Sequence, residues 1–375
     1  MRNHKIIVFV KNKLITLDTV IPILVEMKDK YNISSEVVVF DDLAHEAIGN
    51  NIVLKDAINY VGGELFITRG EKVKTLRLFY VVMCFSKLLF HFVRGAKILH
   101  FGHLNVWPLK LIAKIFNKNT YQLQSTAYDF HYPLINIKNK GLKAVEPLGK
   151  NIVIFGKRYG ESRFSEYISK RKIFFFGETR TRSHWIKYIR NKNDYYFNLY
   201  HRDIDLSNGA VIFILGTIDG DYRYEHKRPL FESTIKILSE KFQDIPVLLK
   251  PHAYTEIDIV KEAIASLDNF YITYLHPSVL ATRAIFFISN NFSNVLADAH
   301  SFGVTTIEYS KYSVGELLSY NNNSIEPEYV DYFINNNPNK LSDILNNDLP
   351  NTYCPSIFNG ISGGSDELLI SLASK

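Results

Sequence analysis

The sequence predicts an α/β protein with two doubly wound parallel sheets, and three observations support that prediction. Short continuous apolar runs, rich in Val, Ile and Phe, alternate with segments of helical periodicity. The alternation occurs in both halves of the chain, which indicates two sheets with helices on both faces. A length of 375 residues is more than one ordinary core needs and suits two domains.

The first half of the chain supplies strand-like runs separated by helical segments. Strands are predicted at Lys5–Val10, Glu36–Phe40, Lys97–His100, Thr120–Leu123, Asn151–Phe155 and Lys172–Phe176. Helices are predicted over Leu17–Lys30, Leu43–Tyr60 and Pro108–Phe116. Strands that are apolar throughout are typical of a parallel sheet that is covered on both sides.

The second half repeats this order. Strands are predicted at Ala210–Leu215, Pro246–Leu249, Phe270–Thr273, Ala284–Ile288 and Thr305–Tyr309, and helices at Pro229–Lys241, Glu256–Leu267 and Asn294–Ser301. The polar stretch Asn191–Asn208 is interpreted as the linker, so the predicted domains span residues 1–205 and 206–375. The tail Ser319–Pro350 predicts loop and short helix. Glu367–Ala373 predicts a final helix that packs back on the first domain.

Composition narrows the class of partner and the compartment. The net charge of +6 favours anionic partners such as nucleotides, lipid phosphates or an acidic membrane surface. It comes without an arginine-rich arm or zinc-finger spacing, so nucleic acid is not expected as a partner. Cys84 and Cys354 are far apart in sequence, which favours a reducing compartment. With no apolar leader at the N-terminus, the sequence predicts a cytoplasmic protein.

One segment, Leu76–Val93, is strongly apolar and has basic flanks. Three interpretations stay open: a buried helix of the first domain, a helix resting on the inner face of the membrane, and a membrane span. Lys87 and His91 interrupt the run, which disfavours the span. The second interpretation predicts a peripheral contact with the cytoplasmic face of the inner membrane, where lipid-linked acceptors lie.

Several common catalytic motifs are missing from the sequence. It contains no phosphate loop of the type G-x-x-x-x-G-K-[ST], no G-x-G-x-x-G after the first strand and no G-x-S-x-G elbow. What remains is a series of polar groups at the carboxyl ends of predicted strands in the second half. That edge of an open α/β sheet is where ligands bind.

The first group, residues 216–221, is a glycine-rich acidic loop. Asp219 is a candidate general base or covalent nucleophile at an anomeric carbon, and the alternative is a plain Asp-Gly turn. The second group is Lys250-Pro251-His252, in which a cation and an imidazole can meet a phosphate. The alternative for His252 is a loop histidine with a local backbone partner.

The third group, residues 289–294, lies at the start of a predicted helix. Ser289, Ser293 and Asn294 are candidates for phosphate binding, because a helix N-terminus attracts anions. The alternative is helix capping alone. Two D-x-D triplets, at residues 203–205 and 219–221, are of the kind that chelates a divalent metal in some transferases. The His and Ser groups argue instead for phosphate binding without a metal or other cofactor, and Asp203 and Asp205 are interpreted as solvated.

The first half offers two further clusters. Residues 177–185 follow a strand and carry Arg180 and Arg182, which are candidates for binding a sugar carboxylate bidentately, with a solvated helix start as the alternative. Residues 124–129 also follow a strand. There Gln124, Ser125 and Asp129 are candidates for binding acceptor hydroxyls, with an ordinary polar loop as the alternative.

The order of these motifs in the second half resembles that of bacterial transferases of CMP-activated ulosonic acids. An acidic-Gly loop, a strand with Lys-Pro-His and a strand followed by Ser/Asn and a helix are similar to the motifs of lipooligosaccharide and capsule sialyltransferases. They also look like those of the retaining β-Kdo transferases of O-antigen and capsule synthesis. Ala253 follows His252 where sialyltransferases place proline, and Ile218 stands where they often place a second acid, so Kdo is favoured.

This resemblance implies a GT-B fold, in which two Rossmann-like domains face an interdomain cleft. It implies that His252 and Ser293 hold the CMP phosphate, that Asp219 is the catalytic carboxylate and that Glu308 approaches the ribose. Asp219 would deprotonate the acceptor in an inverting enzyme or attack the anomeric carbon in a retaining one. In the retaining route, Glu146 or Glu178 is the candidate second carboxylate.

The function that follows is transfer of an ulosonic acid from a CMP-sugar to a surface glycan or glycolipid, such as lipopolysaccharide or capsule. Two alternatives remain open at this stage. A CDP-glycerol or CDP-ribitol phosphotransferase of the teichoic-acid type shares the fold and the His and Ser phosphate ligands. A saccharide- or nucleotide-binding protein could keep the fold without the chemistry.

Overall fold

A computed structural model describes the chain at residues 4–10, 14–67, 74–105, 107–125, 146–156, 164, 167, 169–219, 227–347 and 366–374. The chain divides into two compact units. Unit 1 comprises Met1–Tyr188 with Ile361–Lys375, and unit 2 comprises Ile189–Gly360. The division lies upstream of the predicted boundary after residue 205.

Unit 1 contains a sheet of seven strands, all paired in parallel, in the order β3-β2-β1-β4-β5-β6-β7. The strands are β1 (Ile6–Val10), β2 (Ser35–Val39), β3 (Glu64–Phe66), β4 (Lys97–His100), β5 (Thr120–Leu123), β6 (Asn151–Ile154) and β7 (Lys172–Phe175). Val8 pairs with Val37 on one side and Leu99 on the other. Every residue of β1 is buried, as expected for a central strand covered on both faces.

The described helices of unit 1 cover this sheet. They are α1 (Leu14–Tyr31), α2 (Asp42–Asn50), α3 (Ile52–Val61), α4 (Lys74–Val93), α5 (Leu109–Ile115), α6 (Ser183–Tyr200), which continues into unit 2, and, near the chain end, α13 (Glu367–Ala373). The single helix predicted at Leu43–Tyr60 is two helices. Asn51 separates them, because its backbone N–H closes α2 on Ile48 while its side chain accepts from the N–H of Leu54 and caps α3.

Gly62 ends α3 in a backbone conformation that suits glycine, with φ of +145°. A Cβ atom at Gly62 would lie 2.3 Å from the carbonyl oxygen of Ser35 in β2. The neighbouring Gly63 has φ of +121° and no atom within 4 Å of a built Cβ. Substitutions at these two glycines therefore distinguish the cost of backbone strain alone from the cost of strain combined with a steric clash.

We expect Gly63→Ala to lower the free energy of unfolding by about 1 kcal/mol, through backbone strain alone. We expect Gly62→Ala to lower it by about 2–3 kcal/mol, because strand β2 must also move. Urea denaturation of both variants measures the difference. Equal losses in the two variants would show that no clash limits the turn.

A buried ion pair joins α1 to the segment after β7. Arg182 donates to both carboxylate oxygens of Glu26, from Nε at 2.8 Å and from Nη2 at 2.7 Å. Both side chains are nearly inaccessible to solvent, at 3% and 2%. The guanidinium also lies over the ring of Phe176, 4.4 Å from its centre. Lys30 contacts the same carboxylate at 2.8 Å from the solvent side.

Helix α13 packs within unit 1. His4, just before β1, makes a 2.7 Å hydrogen bond to the carbonyl oxygen of Leu372, and the hydroxyls of Tyr121 and Ser371 are 2.8 Å apart. Buried Leu368, Leu369 and Leu372 form the inner side of the helix. The start and the end of unit 1 in the sequence are thus joined by direct contacts.

Unit 2 contains a sheet of six parallel strands in the order β10-β9-β8-β11-β12-β13. The strands are β8 (Ala210–Ile214), β9 (Val247–Lys250), β10 (Phe270–Ile272), β11 (Ala284–Ser289), β12 (Thr305–Ser310) and β13 (Tyr332–Asn335). The last strand lies in the tail for which loop and short helix were predicted. Tyr332–Asn335 is an edge strand that pairs only with β12 among the described strands. An edge strand is less buried than a central one, so its sequence needs fewer apolar residues.

The described helices that lie wholly in unit 2 are α7 (Lys227–Lys241), α8 (Ile257–Ile264), α9 (Pro277–Ala281), α10 (Asn294–Ser301), α11 (Val314–Ser319) and α12 (Pro338–Asn347). The predicted linker at Asn191–Asn208 is wrong over its first part, where α6 continues to Tyr200. Tyr196 and Phe197 on this helix are buried. The apolar side of an amphipathic helix therefore outweighs its Asn- and Asp-rich composition.

Candidate functional site

The candidate site lies at the carboxyl edge of the unit 2 sheet. Along the chain, β8 is followed by β9 and β10 on one side of it, whereas β11, β12 and β13 continue on its other side. The strand order therefore reverses between β8 and β11. In open α/β sheets the loops after two such strands leave a crevice between them, and ligands bind there.

Three loops meet at this reversal point. A Cβ atom on Gly216, after β8, would lie 3.2 Å from Oδ1 of Asn291, after β11, so glycine allows these two loops to approach. Thr255, which follows β9, donates from its hydroxyl to the carbonyl oxygen of Gly216 at 2.8 Å. The same hydroxyl accepts from the backbone N–H of His252 at 2.8 Å. The predicted motifs after β8, β9 and β11 are thus brought together.

Asp219 lies at the end of the described part of the first loop. Its side chain is 45% exposed and pairs at 3.1 Å with Arg228, which is equally exposed in the first turn of α7. The loop before it is fixed by two contacts. The N–H of Ile218 donates to Glu256 at 2.7 Å, and Lys227 donates to the hydroxyl of Thr217 at 2.5 Å. Asp219 is therefore a solvent-accessible carboxylate on an anchored loop.

His252 is exposed, and its imidazole has a defined hydrogen-bonding arrangement. The backbone N–H of Tyr254 donates to Nδ1 at 3.3 Å, which leaves the proton of the neutral ring on Nε2. Partial loss of hydration, together with the charge of Lys250, lowers the pKa of His252. At neutral pH the ring is thus a neutral donor through Nε2. Lys250, the last residue of β9, supplies a positive charge beside it.

The loop after β11 leads into the N-terminus of α10. Asn290 anchors it by donating to Thr234 at 2.8 Å and to the carbonyl oxygen of Tyr309 at 3.1 Å. Ser293 is the N-cap of α10 and accepts from the N–H of Val295 at 3.4 Å, and Asn294 is the first helical residue. Ser289 is buried as the last residue of β11. The helix N-terminus therefore directs its partial positive charge toward the crevice edge.

Glu308 lies beneath this loop, paired in register with Ser289. It is fully buried and accepts hydrogen bonds from the hydroxyls of Ser310 at 2.6 Å, Tyr312 at 2.5 Å and Ser324 at 2.5 Å. The backbone N–H of Phe292 is a further donor. Burial raises the pKa of Glu308, against the effect of these donors.

In this arrangement Glu308 is held against the loop after β11 and has no exposed surface. The predicted contact with a ribose would need one of its donors to leave. The role as a ribose ligand stays a prediction.

The candidates in unit 1 have protein partners. Arg180 is buried and lies 3.7 Å from Asp18, and Arg182 is held by Glu26 as described above. Binding a sugar carboxylate through Arg182 would require breaking that buried pair. Glu178 precedes a turn at Thr179–Thr181, in which the hydroxyl of Thr181 donates to its carbonyl oxygen at 2.9 Å.

The remaining predicted residues of unit 1 lie apart from one another in the sequence and differ in exposure. Glu146 is exposed and pairs with Arg171 at 3.0 Å. Gln124 is buried, and its side-chain oxygen accepts from the N–H groups of Phe155 and Gly156, at 3.0 and 3.3 Å. Ser125 is half-buried, and Asp129 lies outside the described residues.

The residues that connect the loops were not among those predicted from the sequence. Thr255 and Glu256 lie after β9 and contact the loop after β8, 39 and 38 residues away. No local pattern marks them. The D-x-D partner Asp221 lies outside the described residues. Among the residues that the structure describes, no three His, Cys, Asp or Glu side chains come together as a metal site.

No protein-family model matches the sequence, and no curated protein matches it. Solved structures do match. The UDP-GlcNAc 2-epimerase of Neisseria meningitidis, bound to UDP-GlcNAc, is similar with a TM-score of 0.58 and 12% identity, over 98% of this chain and 99% of that one. The enzyme of the same name from Methanocaldococcus jannaschii, in complex with UDP-GlcNAc and UDP, has a TM-score of 0.54 and 13% identity, over 94% and 95%.

A further UDP-N-acetylglucosamine 2-epimerase is similar with a TM-score of 0.56 and 14% identity, over 96% of this chain and 93% of that one. Identities this low concern the fold alone. Together with the two parallel sheets they confirm the predicted class: the chain has the GT-B fold, with two Rossmann-like domains.

Proposed function

We propose that the chain is a glycosyltransferase that binds a nucleotide-activated sugar at the carboxyl edge of the unit 2 sheet. The observation that supports this most strongly is the convergence of three loops there. They bring the neutral imidazole of His252, the helix N-terminus at Ser293 and the carboxylate of Asp219 to one edge. Anion-binding groups beside an accessible carboxylate suit a reaction that releases a phosphate.

In the proposed reaction the nucleotide leaves and its phosphate gains negative charge. Nε2 of His252 and the hydroxyl of Ser293 would donate hydrogen bonds to that phosphate, and the N-terminus of α10 would stabilise its charge. Asp219 would act as general base toward the acceptor hydroxyl or as nucleophile toward the anomeric carbon. All of these groups lie at the carboxyl edge of the unit 2 sheet.

For the donor, we propose a CMP-activated ulosonic acid, with Kdo favoured, and for the acceptor a bacterial surface glycan or glycolipid. The order of the acidic loop, Lys250-Pro251-His252 and the Ser293 loop supports this choice. A second candidate is a reaction on a UDP-sugar, including epimerisation. It is favoured by the fold similarity to UDP-GlcNAc 2-epimerases.

A thermal-shift series with CMP, CDP, UDP, GDP and dTDP, with and without magnesium, distinguishes these candidates. A ligand that binds only the folded protein raises the midpoint of unfolding. We expect a shift with CMP that does not depend on magnesium. A shift with UDP alone would overturn the CMP donor, and analysis of products from UDP-GlcNAc would then test epimerisation.

Two variants test where the nucleotide binds. We expect His252→Ala and Ser293→Ala each to weaken CMP binding about tenfold, since each removes a hydrogen bond to a charged phosphate. His300→Ala and Ser239→Ala are matched controls, because His300 is exposed in the last turn of α10 and Ser239 is half-buried on α7. Nucleotide affinity that is unchanged in the first pair would place the site elsewhere.

A further inference from the structure

Helix α4 has an outer face that is almost entirely apolar. Its inner side packs on the sheet through Cys84, Leu88 and Phe92, which are all buried. The outer face carries large apolar side chains that are 50% to 73% exposed: Leu78, Phe79, Val82, Met83, Leu89, Phe90 and Val93. The spacing of these residues places them on one side of the helix. No described helix is long and apolar enough to cross a bilayer.

Helix α5 extends this surface. Both helices pack on the same core, and the rings of Phe92 and Phe116 lie 5.6 Å apart at their ends. Leu111 and Ile115 on the outer side of α5 are 50% and 64% exposed. Trp107, just before α5, is 83% exposed. We call the exposed apolar residues of α4 and α5 with Trp107 the apolar face.

The charged side chains of α4 and α5 themselves are all basic, and the buried Glu36 of β2 pairs with one of them, Lys87. Residues 72–128, which include both helices, contain nine Lys and Arg and no Asp or Glu. Arg94, Lys110 and Lys114 are exposed at the ends and edges of the two helices. Arg94 also lies over the ring of Phe90, 4.9 Å from its centre. An apolar face with exposed basic side chains at its edges is complementary to a bilayer with anionic headgroups.

We propose that the apolar face docks on the surface of a membrane rich in anionic phospholipids. The apolar side chains would enter the boundary between headgroups and acyl chains, roughly 5–10 Å deep. The basic residues would contact lipid phosphates, and Trp107 would lie at the headgroup level that tryptophan prefers. A second copy of the chain suits this face less well, because pairing would bring two sets of like charges together. This proposal does not depend on the proposed reaction.

Vesicle flotation tests the docking directly. Vesicles of phosphatidylcholine and phosphatidylglycerol at a ratio of about 7:3 are compared with phosphatidylcholine alone, and we expect the protein to float mainly with the anionic vesicles. A triple variant, Phe79→Ser, Val82→Ser and Phe90→Ser, should bind at least tenfold more weakly. A second triple variant, Arg94→Gln, Lys110→Gln and Lys114→Gln, should lose roughly fivefold for each charge.

The matched control carries Leu43→Ser and Leu199→Ser, since both leucines are more than half exposed and lie outside the apolar face. All substituted side chains are exposed, so the unfolding midpoint should not change in any variant. The proposal is overturned if the protein does not float with anionic vesicles, or if the first triple variant floats as well as the native chain. Self-association that the first triple variant abolishes, without lipid binding, would assign the face to a second copy.

Tryptophan fluorescence tests which face enters the lipid. The chain has two tryptophans, and Trp185 is 1% exposed. A change in fluorescence emission on docking should therefore come from Trp107. We expect a blue shift on adding anionic vesicles and quenching by brominated acyl chains, both absent in Trp107→Phe. Emission of vesicle-bound protein that stays at its value in water would overturn insertion of the apolar face.

Discussion

Asp219→Asn is expected to lower turnover with the proposed donor by about two to four orders of magnitude, the usual contribution of a positioned general base. Binding of CMP should stay within about twofold, because the predicted phosphate ligands, His252 and Ser293, lie on other loops. The fold should also be unaffected. Asp219 and its partner Arg228 are both nearly half exposed, and exposed pairs contribute little to stability.

Turnover is measured as release of CMP from CMP-Kdo in the presence of an acceptor, and binding by the thermal shift with CMP. Asp205→Asn is the matched control, since Asp205 is an exposed aspartate in the segment before β8. If Asp219→Asn turns over like the native chain while it binds CMP normally, the catalytic assignment is wrong. A variant that fails to bind CMP would instead place Asp219 in the nucleotide site.

Arg182→Met is expected to lower the free energy of unfolding by about 3–5 kcal/mol, the typical cost of removing one partner of a buried pair. Burial alone would raise the pKa of Glu26, but the hydrogen bonds and charges of Arg182 and Lys30 hold it below its usual value. The lowered pKa contributes stability above the unfolded-state value of about 4.3, and that contribution disappears as the pH falls through the folded-state pKa. The variant should lose this acid dependence as well.

Urea unfolding at pH 7 and at a series of lower pH values measures both effects. Arg283→Met is the control, because it breaks an exposed pair with Asp194 and should cost under about 1 kcal/mol. The double variant Glu26→Leu with Arg182→Met should regain most of the loss, since it leaves no unpaired buried charge. A loss below about 1 kcal/mol for Arg182→Met alone would contradict the buried-pair interpretation.

The central strands could be predicted from the sequence to within about a residue, as could the edge strands β7 and β10, but the other two edge strands could not. Lys97–His100 and Thr120–Leu123 are observed as predicted, because a central parallel strand needs apolar side chains on both faces. Glu64–Phe66 and Tyr332–Asn335 were missed. Each is a short strand of mixed polarity at the edge of its sheet, where it forms hydrogen bonds with one neighbouring strand instead of two.

The candidate site was predicted as a set of positions but not as an arrangement. The carboxyl ends of strands can be located from sequence, and this brought His252, Asp219 and Ser293 into consideration. The contacts of Thr255 that bind the loops together depend on tertiary structure. Arg182 shows the converse, because its charged neighbourhood suggested a ligand site whereas its partner, Glu26, lies 156 residues away in sequence.

The packing of α13 in unit 1 has a consequence for how the chain is made. Unit 2 is an insertion within unit 1, since residues 189–360 separate two parts of the same unit. During synthesis the whole of unit 2 leaves the ribosome before the helix that covers His4 and Tyr121. Unit 2 can therefore complete its sheet while unit 1 still lacks a helix, so the later unit in the sequence is the first that can finish folding.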